Sequence, residues 1–442
     1  MRVLHFATLD SIGGAAKATY RLHDALRNAG HKSRMIVLRK ESDDEDVYEV
    51  LPPTRYDRLK KRLLTTSGAE REKELPTASY QFNFDTEPEA RNKSFFQFPR
   101  DSVDFICLHW ITGLLTVKRI RRIYDYYRKP LVWIPLDQEP LTGGCHYSFG
   151  CEGFKNKCGN CPQLRPSGGN DCSRVLWERK YTYLRALPIT FVAGTSWVKK
   201  RIEESSIFRN HRIESIPLAI DDRTFSPVPQ HRAKAALGIE GNRRVLFFAA
   251  GWIDDPRKGM RYLIEALRQL REFIAENGNT DGDRILLLVA GHNDNSIHSQ
   301  LPFPFKSLGY IEDDRTLAMA YQAADAFVCS SIEEAGPMMI PESMLCGTPV
   351  VAFNTGGALD LIVPMKTGYL AKCGDSSDLA HGIFKILAAE NVSVLRETAR
   401  QTAFEKHSVQ KVLDNYQKLF NHLLRPENNS SDKLRNRDER KV

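Results

Sequence analysis

Two carboxylates, Glu334 and Glu342, stand eight positions apart in the stretch EEAGPMMIPESMLCGTPVVAF, Glu333 to Phe353. An ionised carboxylate only accepts hydrogen bonds, and it has room for two hydroxyl donors. Vicinal hydroxyls of a ribose or a hexose fit that need, whereas an isolated Glu pair is more often a solvated acidic face. A second candidate is the basic pair Arg257–Lys258 in GWIDDPRKG, followed at once by Gly259. Two cations ahead of a helix can neutralise a diphosphate. The alternative, a surface basic dipeptide, is the commoner fate. A third is the spacing C-x5-C-x6-C-x2-C of Cys145, Cys151, Cys158 and Cys161, with His146 beside the first. Thiolates this dense in a reducing compartment suit a tetrahedral zinc, and four would close its shell, making it structural. A labile disulfide and plain free thiols share the alternatives.

The elements around these residues are strands and helices in alternation. AADAFVCSS reads as a buried strand running into the Glu334 loop. Pro341 suits the first turn of a helix, where its missing N–H costs nothing, and Gly347 suits the left-handed stop after it. TPVVAF is the next strand. In the first half, VLHFATLD is a strand, Gly13 and Gly14 a tight turn or a close ligand approach at a helix N-terminus, and SRMIVLRK the second strand. VDFICLHW ends in His109 and PLVWIPLD in Asp137. Such an order implies an α/β fold with doubly wound parallel sheets, whose ligands gather at the C-terminal strand ends. A strand-end His is nonetheless more often structural than functional.

At 442 residues, with 42% hydrophobic and 27% charged, the chain has the size of two domains. The boundaries expected are 1–223, 224–405, a helix 406–425 crossing back to the first domain, and a disordered tail 426–442. The net charge of +8 is mild. It does not argue for nucleic acid, but it suits phosphorylated substrates or an anionic membrane surface. No apolar run approaches the length of a bilayer span, and MRVLHFATLD reads as a strand, not a signal peptide. A cytoplasmic protein, peripheral at the inner face of the membrane, is expected. The polar region 41–99 reads as an insertion. Its segment RYDRLKKRLLTT is either a surface helix for lipid headgroups or one packed on its own domain.

These motifs resemble the retaining GT-B glycosyltransferases of the glycosyltransferase group 1 superfamily. The pattern E-x7-E followed by G-x-P-V-V-A stands here as Glu334, Glu342, Gly347, Pro349, Val350, Val351 and Ala352. LGYIEDDRTLAMAYQAADAFVCSS and NTGGALDLIVPMKTGYL are similar to further family segments. The resemblance implies two Rossmann-like domains facing across a cleft, with transfer from a nucleotide diphosphate sugar to an acceptor hydroxyl. It implies no cofactor for catalysis and no covalent nucleophile. Glu334 would face the donor sugar and Glu342 the ribose, while Lys258, Gly259 and Arg257 would take the diphosphate. Tyr310 and Ile311 would lie at the base, and Gly336 and Met338 in the donor loop. His109, Gly13 and Gly14 would lie toward the donor sugar and acceptor. Two departures are visible: AGPMMIP lacks the usual Gly-Phe-Gly, and Trp252 occupies the place of the usual Arg. The segment TGGCHY…C…C-GNCP is similar to one in bacterial exopolysaccharide and capsule enzymes of the colanic-acid type. A glycan or lipid-linked oligosaccharide acceptor is the expectation that accompanies the glycosyltransferase resemblance. A sugar-nucleotide epimerase and a non-catalytic sugar-nucleotide or glycan binder are the alternatives.

Overall fold

The computed structural model describes residues 1–52, 75–76, 82–86, 90–276, 282, 284–292 and 294–425. The basic segment 55–66 and the tail 426–442 lie outside the described residues. The chain divides into two compact units. The first comprises Met1–Gly194, Val198–Ile216 and the residues from Val412 onward; the second comprises Thr195–Trp197 and Pro217–Lys411. The division thus falls after Ile216 and, at the C-terminal end, inside the helix Val409–Leu423.

The first unit holds a seven-stranded parallel sheet. Its strands are β1 (Arg2–Leu9), β2 (Lys32–Arg39), β3 (Val47–Glu49), β4 (Phe105–Leu108), β5 (Leu131–Trp133), β6 (Ile189–Ala193) and β7 (Arg212–Ser215), in the order β3-β2-β1-β4-β5-β6-β7. Strands such as FICL and ITFVA are buried throughout. Continuous apolar runs of this kind mark strands covered on both faces.

The second unit holds six parallel strands: β8 (Arg244–Trp252), β9 (Ile285–His292), β10 (Phe305–Ser307), β11 (Ala326–Cys329), β12 (Val350–Phe353) and β13 (Gly368–Ala371). Their order is β10-β9-β8-β11-β12-β13. Two apolar clusters cover the two faces. One is built on Leu246, Leu263, Leu267 and Leu379, the other on Phe247, Tyr321, Phe327 and Met344.

Both sheets therefore reverse their strand order next to the first strand of the unit, between β1 and β4 and between β8 and β11. Loops leaving the C-terminal ends of strands on either side of such a reversal diverge and leave a crevice. The two units form an α/β architecture of the GT-B-like kind.

Candidate active site

In the second unit, the loops after β8 and β11 are stitched together at the reversal. After β8 the chain makes a short helical turn, Pro256–Lys258, capped by Asp255, whose Oδ1 accepts from the Arg257 N–H at 2.9 Å. Gly259 then turns with φ +71° into the helix Met260–Glu276. A side chain there would overlap the Ser330 carbonyl oxygen, so only glycine permits this approach. The Ser330 hydroxyl donates to the Lys258 carbonyl at 2.9 Å, and the Ile332 N–H donates to the Arg257 carbonyl at 2.9 Å.

This stitching brings Arg257 and Lys258 onto Glu334. The Arg257 guanidinium lies 2.6 Å from Glu334 Oε1, and Lys258 Nζ bonds the same oxygen. Ser331 Oγ adds a bond at 3.3 Å. Glu334 is only 5% exposed. Burial pushes its carboxyl up, but Arg257 and Lys258 outweigh it and bring the pKa down to about 2. The carboxylate stays ionised, and both cations are held at the end of the sheet. Gly356 (φ +54°) lies against this loop, and a side chain there would overlap the Glu334 carbonyl oxygen. Packing against Glu334 therefore explains that glycine without a ligand.

Glu342 is 2% exposed and lies in the first turn of the helix Met339–Leu345. Pro341 is the third residue of that helix, and the Glu342 N–H donates to the Met338 carbonyl at 2.9 Å. Gly347 ends it with φ +75°. The Tyr321 hydroxyl donates to Glu342 Oε2 at 3.4 Å. Burial first, and then the Glu342 charge, keep the Tyr321 phenol protonated and able to donate. Gly336 lies in the loop before this helix, and a Cβ on it would stand 3.2 Å from the Thr195 methyl. Met338 and Ile311 pack partly buried against the Phe247 cluster. Tyr310 stacks on His292 with centroids 4.1 Å apart and planes 12° apart, and His292 lies 4.7 Å from the Trp252 ring. Trp252 is 57% exposed.

The first unit's reversal carries different groups. Gly13 caps the helix Gly14–Asn28 with φ +90°. No atom lies within 4 Å of where its Cβ would be, so the backbone angle alone explains glycine there. His109, just past β4, is buried, and its Nε2 lies 2.9 Å from His5 Nδ1 on β1. Burial, and then His23, bring the His109 pKa down to about 3, so the imidazole is neutral. Asp137, beyond β5, accepts from Trp110 Nε1 at 2.7 Å and pairs with His146 Nδ1 at 2.6 Å. Burial lowers the His146 pKa, but Asp137 outweighs it and the pKa is raised. A carboxylate-oriented imidazole of this kind can hold or move a proton. Beside it, Lys180 Nζ bonds Glu139 Oε1 at 2.7 Å and the Thr142 carbonyl at 3.0 Å, tying down the start of the cysteine segment.

The four cysteines are free thiols in one neighbourhood. Burial, then the Cys158 thiol, push Cys145 well up; burial pushes Cys158 up to about 12 and raises Cys161. Cys158 Sγ accepts from the Gly143 N–H at 3.2 Å. Sulfurs of Cys151 and Cys158 both flank Gly153. Among the described residues, no three His, Cys, Asp or Glu side chains form a group arranged to hold a metal ion.

The carboxylate clamped by two cations at the end of β8 and β11 lies within a stretch similar to a known family. Residues 230–405 match the family described as Glycosyl transferases group 1. That stretch contains Arg257, Lys258, Glu334 and Glu342. The chain is 31% identical over 209 residues to a phosphatidyl-myo-inositol mannosyltransferase of Mycobacterium leprae (strain TN), covering 45% of this chain and 51% of the relative. It is 26% identical over 272 residues to WcaC of Escherichia coli (strain K12), named for colanic acid biosynthesis, covering 58% and 59%. The colanic-acid likeness is therefore a distant one, and the chain spans little more than half the length of these curated relatives. The structure of Anabaena HepE in complex with UDP and glucose superposes with a TM-score of 0.64 at 17% identity, covering 96% of this chain and 100% of that one. At that identity the likeness establishes the fold.

Within the group 1 stretch, Arg257, Lys258, Gly259 and Glu334 come together, while Glu342 lies on the following helix. Local sequence patterns do not reveal the Tyr321–Glu342 contact, the Trp252–His292–Tyr310 stack or the His146–Asp137 pair. Strand-end positions were the available signal, since Trp252, His292 and Asp137 all follow buried apolar runs.

Proposed function

We propose that the protein is a retaining glycosyltransferase that moves a hexosyl group from a nucleotide diphosphate sugar to an acceptor hydroxyl. The observation that carries this reading is the pair of cations held on Glu334 at the strand reversal. In the reaction the bond from the anomeric carbon to the diphosphate oxygen breaks. The bond to the acceptor oxygen forms on the same face, and the acceptor proton passes to the leaving phosphate. Arg257, Lys258 and the first N–H groups of the helix Met260–Glu276 neutralise the charge that develops on that phosphate, without a metal ion. Glu334 holds the cations and accepts from the sugar hydroxyls, while buried Glu342 accepts from the ribose. His109, Gly13 and Gly14 lie on the acceptor side. The acceptor is a glycan or lipid-linked oligosaccharide of bacterial surface polysaccharide synthesis, handled in the cytoplasm at the inner face of the membrane. The names of the mannosyltransferase relative and of the HepE complex support the donor class.

The test is thermal unfolding against a panel of nucleotide diphosphates, since a ligand of the folded state raises the midpoint by mass action. A selective rise with one base is expected, followed by acceptor-dependent turnover of its sugar with the anomeric configuration kept. No shift with any nucleotide would overturn the reading. Turnover of nucleotide sugar with no acceptor present would mark an epimerase instead.

A further inference from the structure

At the opposite edge of the first unit's sheet lies a wide groove of about 1340 Å³. Asp104, Pro130, Pro188 and His211 line it, and each immediately precedes a strand, β4 to β7 in turn. It therefore sits at the N-terminal strand ends. His109 and Asp137 lie beyond the C-terminal ends, a strand's length away, roughly 10–17 Å for strands of three to five residues. The groove belongs to neither of the sites described above.

Its lining is strongly basic. Six Lys and Arg side chains face two carboxylates, and one of those, Asp104, is already paired with Arg2. Among the described residues, Lys129, Lys157, Arg185 and Arg209 enter no ion pair. Two of these cations are set over aromatic rings, Arg185 at 4.5 Å from the Tyr181 centroid and Lys157 at 5.9 Å from that of Trp177. Trp177 and Tyr181 stack on each other at 5.0 Å. The rings thus position cations and do not offer bare faces to a neutral sugar. Arg128 and Arg212 are paired with Asp125 and Glu214, and the remaining like charges, gathered in a concavity with few counter-charges, focus a field that attracts anions. Guanidinium groups in particular match phosphate oxygens. The volume exceeds that of an ordinary small-molecule pocket, roughly 300–1000 Å³, so several linked phosphates fit better than one ion.

We propose that this groove is a second binding site, for a ligand carrying linked phosphate groups, either free in solution or as the headgroup of a lipid. The assignment does not rest on the second unit's activity. It is tested by calorimetric titration of the full chain with orthophosphate, pyrophosphate and tripolyphosphate. The background is Lys258→Ala, which weakens phosphate binding in the second unit. Affinity should rise along that series and fall about tenfold for each cation removed in Lys157→Gln, Arg185→Gln and Arg209→Gln. These are exposed residues whose apolar stems are kept, and thermal unfolding checks that each variant folds. A parallel arm measures co-sedimentation with phosphatidylcholine vesicles with and without a lipid bearing a diphosphate headgroup, such as a polyprenyl diphosphate. Tripolyphosphate binding without vesicle binding identifies a soluble ligand. Vesicle binding that is lost in the triple variant identifies a lipid headgroup. No binding in either arm, or binding unchanged by the triple variant, overturns the site.

Discussion

The two sheets share one strand order around their reversal points, yet those points carry opposite chemistry. Between β8 and β11 the protein holds two permanent cations on a carboxylate whose pKa is about 2. Between β1 and β4 it holds buried histidines, with His109 kept neutral at a pKa of about 3. Topology thus fixes where a ligand can sit, and the side chains ending the strands decide what charge it meets. A diphosphate suits the first arrangement, and an uncharged hydroxyl suits the second.

The largest break in that contrast is expected from Lys258→Ala. In the proposed role of Lys258 on the leaving phosphate, removing this cation should lower kcat/KM about 10²–10³-fold. His109→Ala should lower turnover only about tenfold and leave donor affinity unchanged, because a neutral imidazole supplies no more than a hydrogen bond. Intact turnover in His109→Ala would remove that residue from the site, and equal losses in the two variants would erase the contrast. Next comes the His146–Asp137 pair. The folded His146 pKa is raised above the unfolded value, so its stabilisation is complete below that value, about 6.5, and is lost as pH rises through the folded pKa. Asp137→Asn should cost about 3 kcal/mol near pH 6 and less near pH 9, measured by denaturant unfolding at both. A loss independent of pH would mean that the Trp110 bond matters and the charge does not.

Glu342→Ala should weaken donor binding about 10–100-fold by calorimetry, through lost hydrogen bonds to an ionised group. Unchanged affinity would defeat the ribose assignment and leave Glu342 as the partner of Tyr321. The smallest effect is expected from a chelator. The thiols of Cys145, Cys158 and Cys161 have pKa values pushed upward and bind metal only by losing their protons. A large drop in Tm on chelation would establish the cluster as a folding metal site, and no drop would leave it as buried thiols.

Much of this was legible in the chain because it is local. Pro341, Glu342 and Gly347 announce a short helix and its end. Runs such as AFVC and VVAF announce buried parallel strands, and alternation announces the wound sheets. Arg257 and Lys258 could be placed at a strand end, but their convergence on Glu334 depends on β8 and β11 being neighbours. That adjacency joins segments more than seventy residues apart, and no local pattern encodes it. The packing of Gly356 against Glu334 is likewise visible only in three dimensions. His146 stands beside the cysteines in sequence, and its contact with Asp137 arises because the loop after β5 folds back onto its own start.

The Trp252–His292–Tyr310 stack equips the molecule with a built-in optical probe. Of the five tryptophans, Trp252 stands out for its exposure, and it rests against a histidine beside the loop bearing Arg257 and Lys258. Indole emission depends on the ring packed against it, so a ligand that displaces the His292 ring would change the emission, and occupancy could be followed without a label.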